Sequence, residues 1–179
     1  VTEEEFLNHI DETVRVIESY DTTSVRASVG NLLVAKYISN HTDHKVVFNG
    51  DYSDEVCGGY KYFKNAPSAN QFDLECKRLV TDICYFDSLR SDRTVSSQGL
   101  EARVPFSDHD FVSYYFGIPV ELRMRPDKYL LRKAFEKDNL LPEEILWRPK
   151  EAFSDGVSKK ERSWHTILKN HINSMVSDE

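Results

Sequence analysis

Residues 46–60 read V-V-F-N-G-D-Y-S-D-E-V-C-G-G-Y, an apolar run of strand length that breaks at Asn49-Gly50 into an acidic, hydroxyl-bearing turn. Ser53, Asp54 and Glu55 are residue types that start helices, because their oxygens meet the unpaired N–H groups and positive dipole of a first turn. The stretch therefore reads as a β-strand whose carboxyl end feeds a helix. In open α/β sheets ligands bind at that end of a strand. The junction is where chemistry is expected, and it points to the α/β class.

On both sides of the junction the pattern is helical. Thr2 with Glu5 forms a capping box ahead of Phe6, Ile10, Val14 and Ile17, which predicts an amphipathic helix to about Tyr20. Asp21-Thr22-Thr23-Ser24 caps a second, with Val25, Val29, Leu32, Leu33 and Tyr37 on one face, running into the polar stretch 40–44. After Ala66-Pro67-Ser68-Ala69-Asn70, a long helix is predicted to about Arg90, with Phe72, Cys76, Leu79, Val80, Ile83 and Cys84 on a broad face and Asp87 at its inner end. Further helices are predicted at about 107–117, 128–138 and 160–176, separated by prolines. The tail stripe Trp164, Ile167, Leu168, Ile172 is more often core than interaction surface.

A single strand at 45–49 cannot pair its own N–H and C=O groups, and no second strand is evident in the chain. Residues 1–179 are therefore expected to be the C-terminal, mostly helical part of a larger doubly wound parallel-sheet domain, with the missing strands upstream of Val1. The alternative is a helical domain in which 45–49 form a short extended linker.

The composition, 40% hydrophobic with 12% aromatic over 179 residues, fits a folded domain with a core. With 23 basic against 30 acidic side chains and a net charge of −7, the chain lacks the basic footprint of nucleic-acid binding or of an anionic-membrane surface. It has no apolar run of membrane-spanning length, and its acidic start is unlike a secretory signal. Cys57, Cys76 and Cys84 are odd in number with no C-x-x-C pair, so a reducing, cytoplasmic setting and three buried thiols are expected. His41 and His44 lack a carboxylate or cysteine framework for zinc and are read as solvated.

Four blocks in order carry a family resemblance: the strand and turn to Gly58-Gly59-Tyr60; Tyr85-Phe86-Asp87-Ser88-Leu89-Arg90; Gly99-Leu100-Glu101-Ala102-Arg103-Val104-Pro105-Phe106; and residues 146–156, L-W-R-P-K-E-A-F-S-D-G. Together they resemble the synthetase domain of the glutamine-hydrolysing asparagine synthetase family, its eukaryotic type above all. The resemblance implies an ATP-pyrophosphatase-like (adenine nucleotide alpha hydrolase-like) fold and an ATP-dependent ligase. ATP and Mg2+ would adenylate aspartate, and ammonia from glutamine would attack the acyl adenylate. The family's glutaminase domain and its S-G-G-x-D-S pyrophosphate loop do not occur in these residues, so the rest of the same protein is an implied partner and turnover by this chain alone is not expected. A homodimer is among the assemblies the resemblance allows.

The family's site maps onto this chain residue by residue. Lys150 stands as the cation for the pyrophosphate leaving group, with Arg148 a weaker candidate. Asp54 suits magnesium, which takes one or two carboxylates plus phosphate oxygens; dipole compensation at a helix start is its ordinary reading. Asn49 and Gly50 match the pair where the backbone meets the nucleotide. Asp87, Arg90 and Tyr60 match groups facing aspartate or pyrophosphate, although an i,i+3 ion pair and a core tyrosine are what spacing alone suggests. The block 101–106 is read as structural.

One departure stands out. Where the family has Gly-Glu-Gly-Ser-Asp-Glu, this chain has Gly50-Asp51-Tyr52-Ser53-Asp54-Glu55. The family glutamate is tied to the adenylate; Asp51 keeps its charge but reaches about 1.5 Å less, and a misplacement of that order costs roughly a hundredfold in rate. If the family glycine serves a positive φ or a close approach, Tyr52 brings strain or partly fills the pocket. The pair suggests a divergent enzyme, a related amide-forming synthetase, or an impaired paralogue that binds or assembles.

Overall fold

The protein is described by a computed structural model over residues 1–151 and 163–176. It divides into two compact units: Val1–Val47 with Phe86–Ala102 and Glu151–Glu179, and Phe48–Tyr85 with Arg103–Lys150.

The first unit is helical. The Thr2–Glu5 capping box forms as predicted: Thr2 Oγ1 accepts the Glu5 N–H at 3.1 Å and the Glu5 carboxylate accepts the Thr2 N–H at 2.7 Å. The single helix expected to Tyr20 is two, α1 (Glu3–Asn8) and α2 (Ile10–Ile17), because the chain tightens at His9, whose N–H bonds back three residues to Phe6 at 3.2 Å. Helix α3 (Thr22–His41) starts where expected, its Ser24 N–H held by the Asp21 carboxylate at 2.7 Å. The tail helix, α11 (Trp164–Met175), is core: Trp164, Ile167 and Leu168 bury against Phe6 and Val29, and the Phe6 and Trp164 rings stack with centroids 3.7 Å apart. Of its predicted range 160–176, residues 160–162 lie outside the described residues, as does 152–156 of the fourth family block.

The second unit holds short helices on two apolar clusters. α4 (Ser53–Val56) contributes Val56 to one, with Cys57 and Tyr115; Phe63, Phe72 and Cys76 form the other. Around them lie α5 (Ala69–Asp82), α7 (His109–Gly117), α8 (Val120–Arg123), α9 (Tyr129–Glu136) and α10 (Glu143–Leu146). Buried Arg123 on α8 ties back to Asp73 on α5.

Further corrections fall in two places. The long helix 72–90 stops at Asp82; a 3₁₀ turn at Ile83–Tyr85 and a non-helical Phe86 (φ −128°, ψ −95°) precede α6 (Asp87–Ser96). Apolar residues keep a three-to-four spacing through such a turn, so periodicity does not register the break. Cys84, on that turn, is exposed, whereas Cys57 and Cys76 are buried as expected.

The second correction concerns the strand. β1 (Val46–Phe48) has a partner in this chain, β2 (Glu101–Arg103), inside the block read as structural only. The Glu101 N–H reaches the Lys45 carbonyl at 2.7 Å in the first unit, and the Asn49 N–H reaches the Arg103 carbonyl at 3.0 Å in the second. Both bonds advance in one sense along the strands, so the pair is parallel. β2 escaped notice because E-A-R has neither an apolar run nor β-branched residues. The reading of β1 as a buried strand is corrected too: Val46 and Phe48 are exposed, Phe48 by 77%.

Candidate active site

The bend after β1 is built by local bonds. Asn49 Oδ1 accepts the Asp51 N–H at 3.1 Å, an Asx turn that folds the chain over Gly50. Tyr52 then adopts φ 71°, ψ −21°, the left-handed region, which is the first of the two uses the sequence left open for the family glycine here. Its ring packs against the Val56, Cys57 and Tyr115 cluster, which holds it in that conformation. Ser53 does not cap α4. Its hydroxyl donates to the Gly50 carbonyl at 2.8 Å and accepts from Lys128 Nζ at 3.2 Å.

Helix α4 is one turn long, and the two glycines that follow reverse the chain. Gly58 lies at φ +62°, where a Cβ would also strike the Phe72 ring. The Gly59 N–H bonds the Asp54 carbonyl at 2.8 Å, and a Cβ at 59 would stand 2.0 Å from Asp54 Oδ1. The reversal lays Tyr60 against α4, where its hydroxyl donates to the carboxylate of Glu55. Gly50 is different: it is exposed, and a Cβ there would meet no described atom within 4 Å.

Asp54 is the centre of the cluster. Lys150 Nζ lies 2.5 Å from its Oδ2 and Lys128 Nζ 3.2 Å from its Oδ1, all three side chains about four-fifths buried. The Lys128 contact is an ion pair without an aligned hydrogen bond, since that ammonium points to Ser53 Oγ; Asp54 Oδ1 is thus buried and accepts none. Lys150 Nζ also sits over the Tyr60 ring, 5.8 Å from its centroid. Two ammoniums fixed around one carboxylate are placed to meet an anion that replaces or joins Asp54.

Lys150 is delivered by a loop that α9 clamps. Arg132 donates to the carbonyls of Leu146 and Arg148 at 2.8 and 2.7 Å, and Tyr129 packs on Trp147 with ring centroids 5.6 Å apart. Arg148 itself is exposed and supports the loop through that carbonyl.

Of the residues singled out in the sequence, Asp54, Tyr60 and Lys150 come together, and Asn49, Gly50 and Asp51 form the bend beside them. Asp87 and Arg90 belong to the other unit, where they pair with each other in the first turn of α6. Sequence reasoning missed Lys128, Glu55 and Arg132. Lys128 and its neighbour Asp127 both lie in the left-handed region, at φ 58° and 59°. Consecutive left-handed residues that are not glycine mark strain held by surrounding structure, a hallmark of functional sites. In sequence, R-P-D-K-Y-L-L-R reads only as a proline-led helix start.

Magnesium fits this arrangement in one way. Among the described residues no group of three or more His, Cys, Asp or Glu is placed to hold a metal; Asp54, whose carboxylate faces the Lys150 and Lys128 ammoniums, would supply the single carboxylate such an ion takes only with those ammoniums turned to the phosphates that provide the rest. No helix among the described residues is long and apolar enough to cross a membrane.

Comparison with known proteins gives the family. A family model described as asparagine synthase matches residues 1–75 and 69–179. The chain is 51% identical over 178 residues to a protein of Gallus gallus, 50% over 179 to one of Cricetulus griseus and 49% over 178 to one of Homo sapiens, each covering 98% of this chain. All three carry the name asparagine synthetase (glutamine-hydrolyzing). The chain spans 32% of the length of each.

Proposed function

This chain belongs to the asparagine synthase family, and on that premise we propose that it supplies one wall of an adenylation site converting aspartate to asparagine. ATP adenylates the side-chain carboxylate of aspartate, pyrophosphate departs, and ammonia attacks the β-aspartyl adenylate to give asparagine and AMP. The observation that carries the reading is the convergence of Lys150, Lys128 and Tyr60 on Asp54 beside the strand–helix bend. Its paired ammoniums are what a departing pyrophosphate needs, and cations fixed before reaction act without reorganisation.

In this reading Lys150 stabilises the leaving group and Asp54 holds magnesium, which when bound neutralises phosphate charge. Asn49 and Gly50 meet the nucleotide; the open space at Gly50 suits close approach of a ligand to backbone. Asp51 stands where the family glutamate serves the adenylate. Tyr60 contacts aspartate or pyrophosphate, the role the resemblance also gives Asp87 and Arg90 of the other unit. The glutaminase, the S-G-G-x-D-S loop and further strands of a doubly wound sheet would lie in polypeptide outside these residues, so that the chain alone is inactive. The exposed Val46 and Phe48, two apart on one face of β1, are consistent with a further layer packed on that face. A cytoplasmic setting goes with this metabolic role.

The left-handed Tyr52 favours a second reading, that of an impaired family member retained for binding or assembly. One assay separates the two. The intact gene product containing these residues should release pyrophosphate when given aspartate, MgATP and ammonium, and Lys150→Met should lower that rate by about a hundred- to a thousandfold. No aspartate-dependent pyrophosphate from the unaltered protein, or from Asp51→Glu with Tyr52→Gly, would defeat the ligase reading.

A further inference from the structure

Glu55 is the one buried carboxylate at the bend to which the proposed reaction gives no role. It is 3% exposed, on a helix of four residues, beside a cluster that already contains Asp54. A buried carboxylate is costly unless its hydrogen bonds hold something that matters. The Tyr60 hydroxyl donates to Glu55 Oε1. The face of the same ring lies under Lys150 Nζ at 5.8 Å, within reach of a cation–π attraction. The ring's other contacts are apolar and non-directional, leaving the hydroxyl to set its position: it packs on the Phe63, Phe72 and Cys76 cluster and stacks with Tyr62 at a centroid distance of 5.9 Å.

We infer that Glu55 is a positioning residue: by anchoring the Tyr60 hydroxyl it holds the ring that seats the Lys150 ammonium beside Asp54. Asp54 alone fixes how near the ammonium stands but not its direction, because a single ion pair is free to pivot. Tyr60 supplies the second support, and Glu55 keeps Tyr60 in place. The Gly58–Gly59 reversal exists in this light to return Tyr60 to within reach of a carboxylate five residues earlier. The consequence for catalysis rests on the adenylation reading above; the seating of Lys150 does not.

The test therefore has two arms. In the first, needing no activity, the intact protein is treated with limiting amine-acylating reagent and labelling at Lys150 is followed by peptide mass spectrometry. Glu55→Ala and Tyr60→Phe should each raise that rate by about two- to fivefold, the worth of one exposed cation–π contact. Glu55→Gln, which keeps an acceptor oxygen, should return it toward the unaltered value. In the second arm, pyrophosphate release should fall in kcat for Glu55→Ala and Tyr60→Phe with KM for ATP unchanged, as expected when support is lost for charge that develops only in the transition state. The two losses should not multiply in the double variant, because both act through one ring. Unchanged Lys150 labelling in both variants would overturn the inference, as would multiplicative losses in kcat. If Glu55→Ala fails to fold, Tyr60→Phe decides alone. If the unaltered protein releases no pyrophosphate, the adenylation reading falls and the labelling arm still decides the role of Glu55.

Discussion

Gly59→Ala tests the geometry of the cluster without touching a charge. The added Cβ would stand 2.0 Å from Asp54 Oδ1, and 3.0 Å from both Asp54 Cγ and Lys128 Cγ. The backbone has little freedom to yield, since the Gly59 N–H is bonded to the Asp54 carbonyl at 2.8 Å and Gly58 is wedged against the Phe72 ring. The Asp54 carboxylate must therefore swing away by about 1 Å, because packed interiors hold no slack of that size. Such a movement breaks the contact that places Lys150, now 2.5 Å away. A misplacement of about 1 Å costs on the order of a hundredfold in rate, and the overpacking itself costs about 1–3 kcal/mol.

Pyrophosphate release with aspartate, MgATP and ammonium reads the first effect, and thermal unfolding reads the second. Gly117→Ala is the control: it lies at the end of α7, with no described atom within 4 Å of its would-be Cβ and no positive φ. That variant should keep its rate and hold or gain stability. If Gly59→Ala retained its rate within about threefold, against the loss expected for 1 Å, the placement of Asp54 against Gly59 and Lys150 would be wrong.

Other perturbations separate the remaining supports. Tyr52→Gly releases about 1–2 kcal/mol of left-handed strain but gives up ring packing against Val56, Cys57 and Tyr115, so denaturant stability should move little while Tyr52→Val, branched in the same conformation, loses heavily; equal stabilities for the two would refute strain at this residue. Trp164→Ala, which empties the stack on Phe6, should destabilise the first unit by about 3–5 kcal/mol and raise hydrogen exchange in α3; no shift in the unfolding midpoint would mean that α11 is not core. Burial pushes the thiols of Cys57 and Cys76 up to about 11 and about 12, so at pH 8 a maleimide should label exposed Cys84 fast and the other two only on unfolding. For the same reason stability should fall as pH rises from 9 toward 11, where an unfolded thiol has lost its proton and the folded one keeps it; a flat alkaline limb to pH 11 would contradict that burial.

How far the sequence carries depends on whether a feature is written locally. The capping box at Thr2, the Asp21 cap and the strand–turn–helix at 46–56 each rest on residues within a few positions of one another, and each is where it was expected. The positive φ of Tyr52 was only half legible: the resemblance put a glycine there, but left open whether for a positive φ or for close approach. β2 was not, since three residues of ordinary polarity become a strand only when β1 lies alongside.

The site divides along the same line. Asp54 and Tyr60 sit on one local reversal, dictated by Gly58-Gly59, and were found. Lys150 was found through its family block, although nothing nearby in sequence brings it to Asp54, 96 residues earlier. Lys128 had neither help: it follows a proline at the head of a helix, a place where a lysine is ordinarily solvated. Its role depends on two left-handed residues that turn its side chain toward Ser53 and Asp54, and on Arg132 and Tyr129 of the same helix holding the Lys150 loop. A motif reading finds residues that carry chemistry by type. It passes over those that carry it by placement, and in this chain α9 supplies most of that placement, which makes Arg132→Lys informative: it keeps the charge, but its ammonium sits one bond nearer the backbone than the single guanidinium nitrogen that meets both carbonyls of Leu146 and Arg148, and it should lower pyrophosphate release without altering the net charge at Asp54. Full activity in that variant would mean that the Lys150 loop is held by something other than α9.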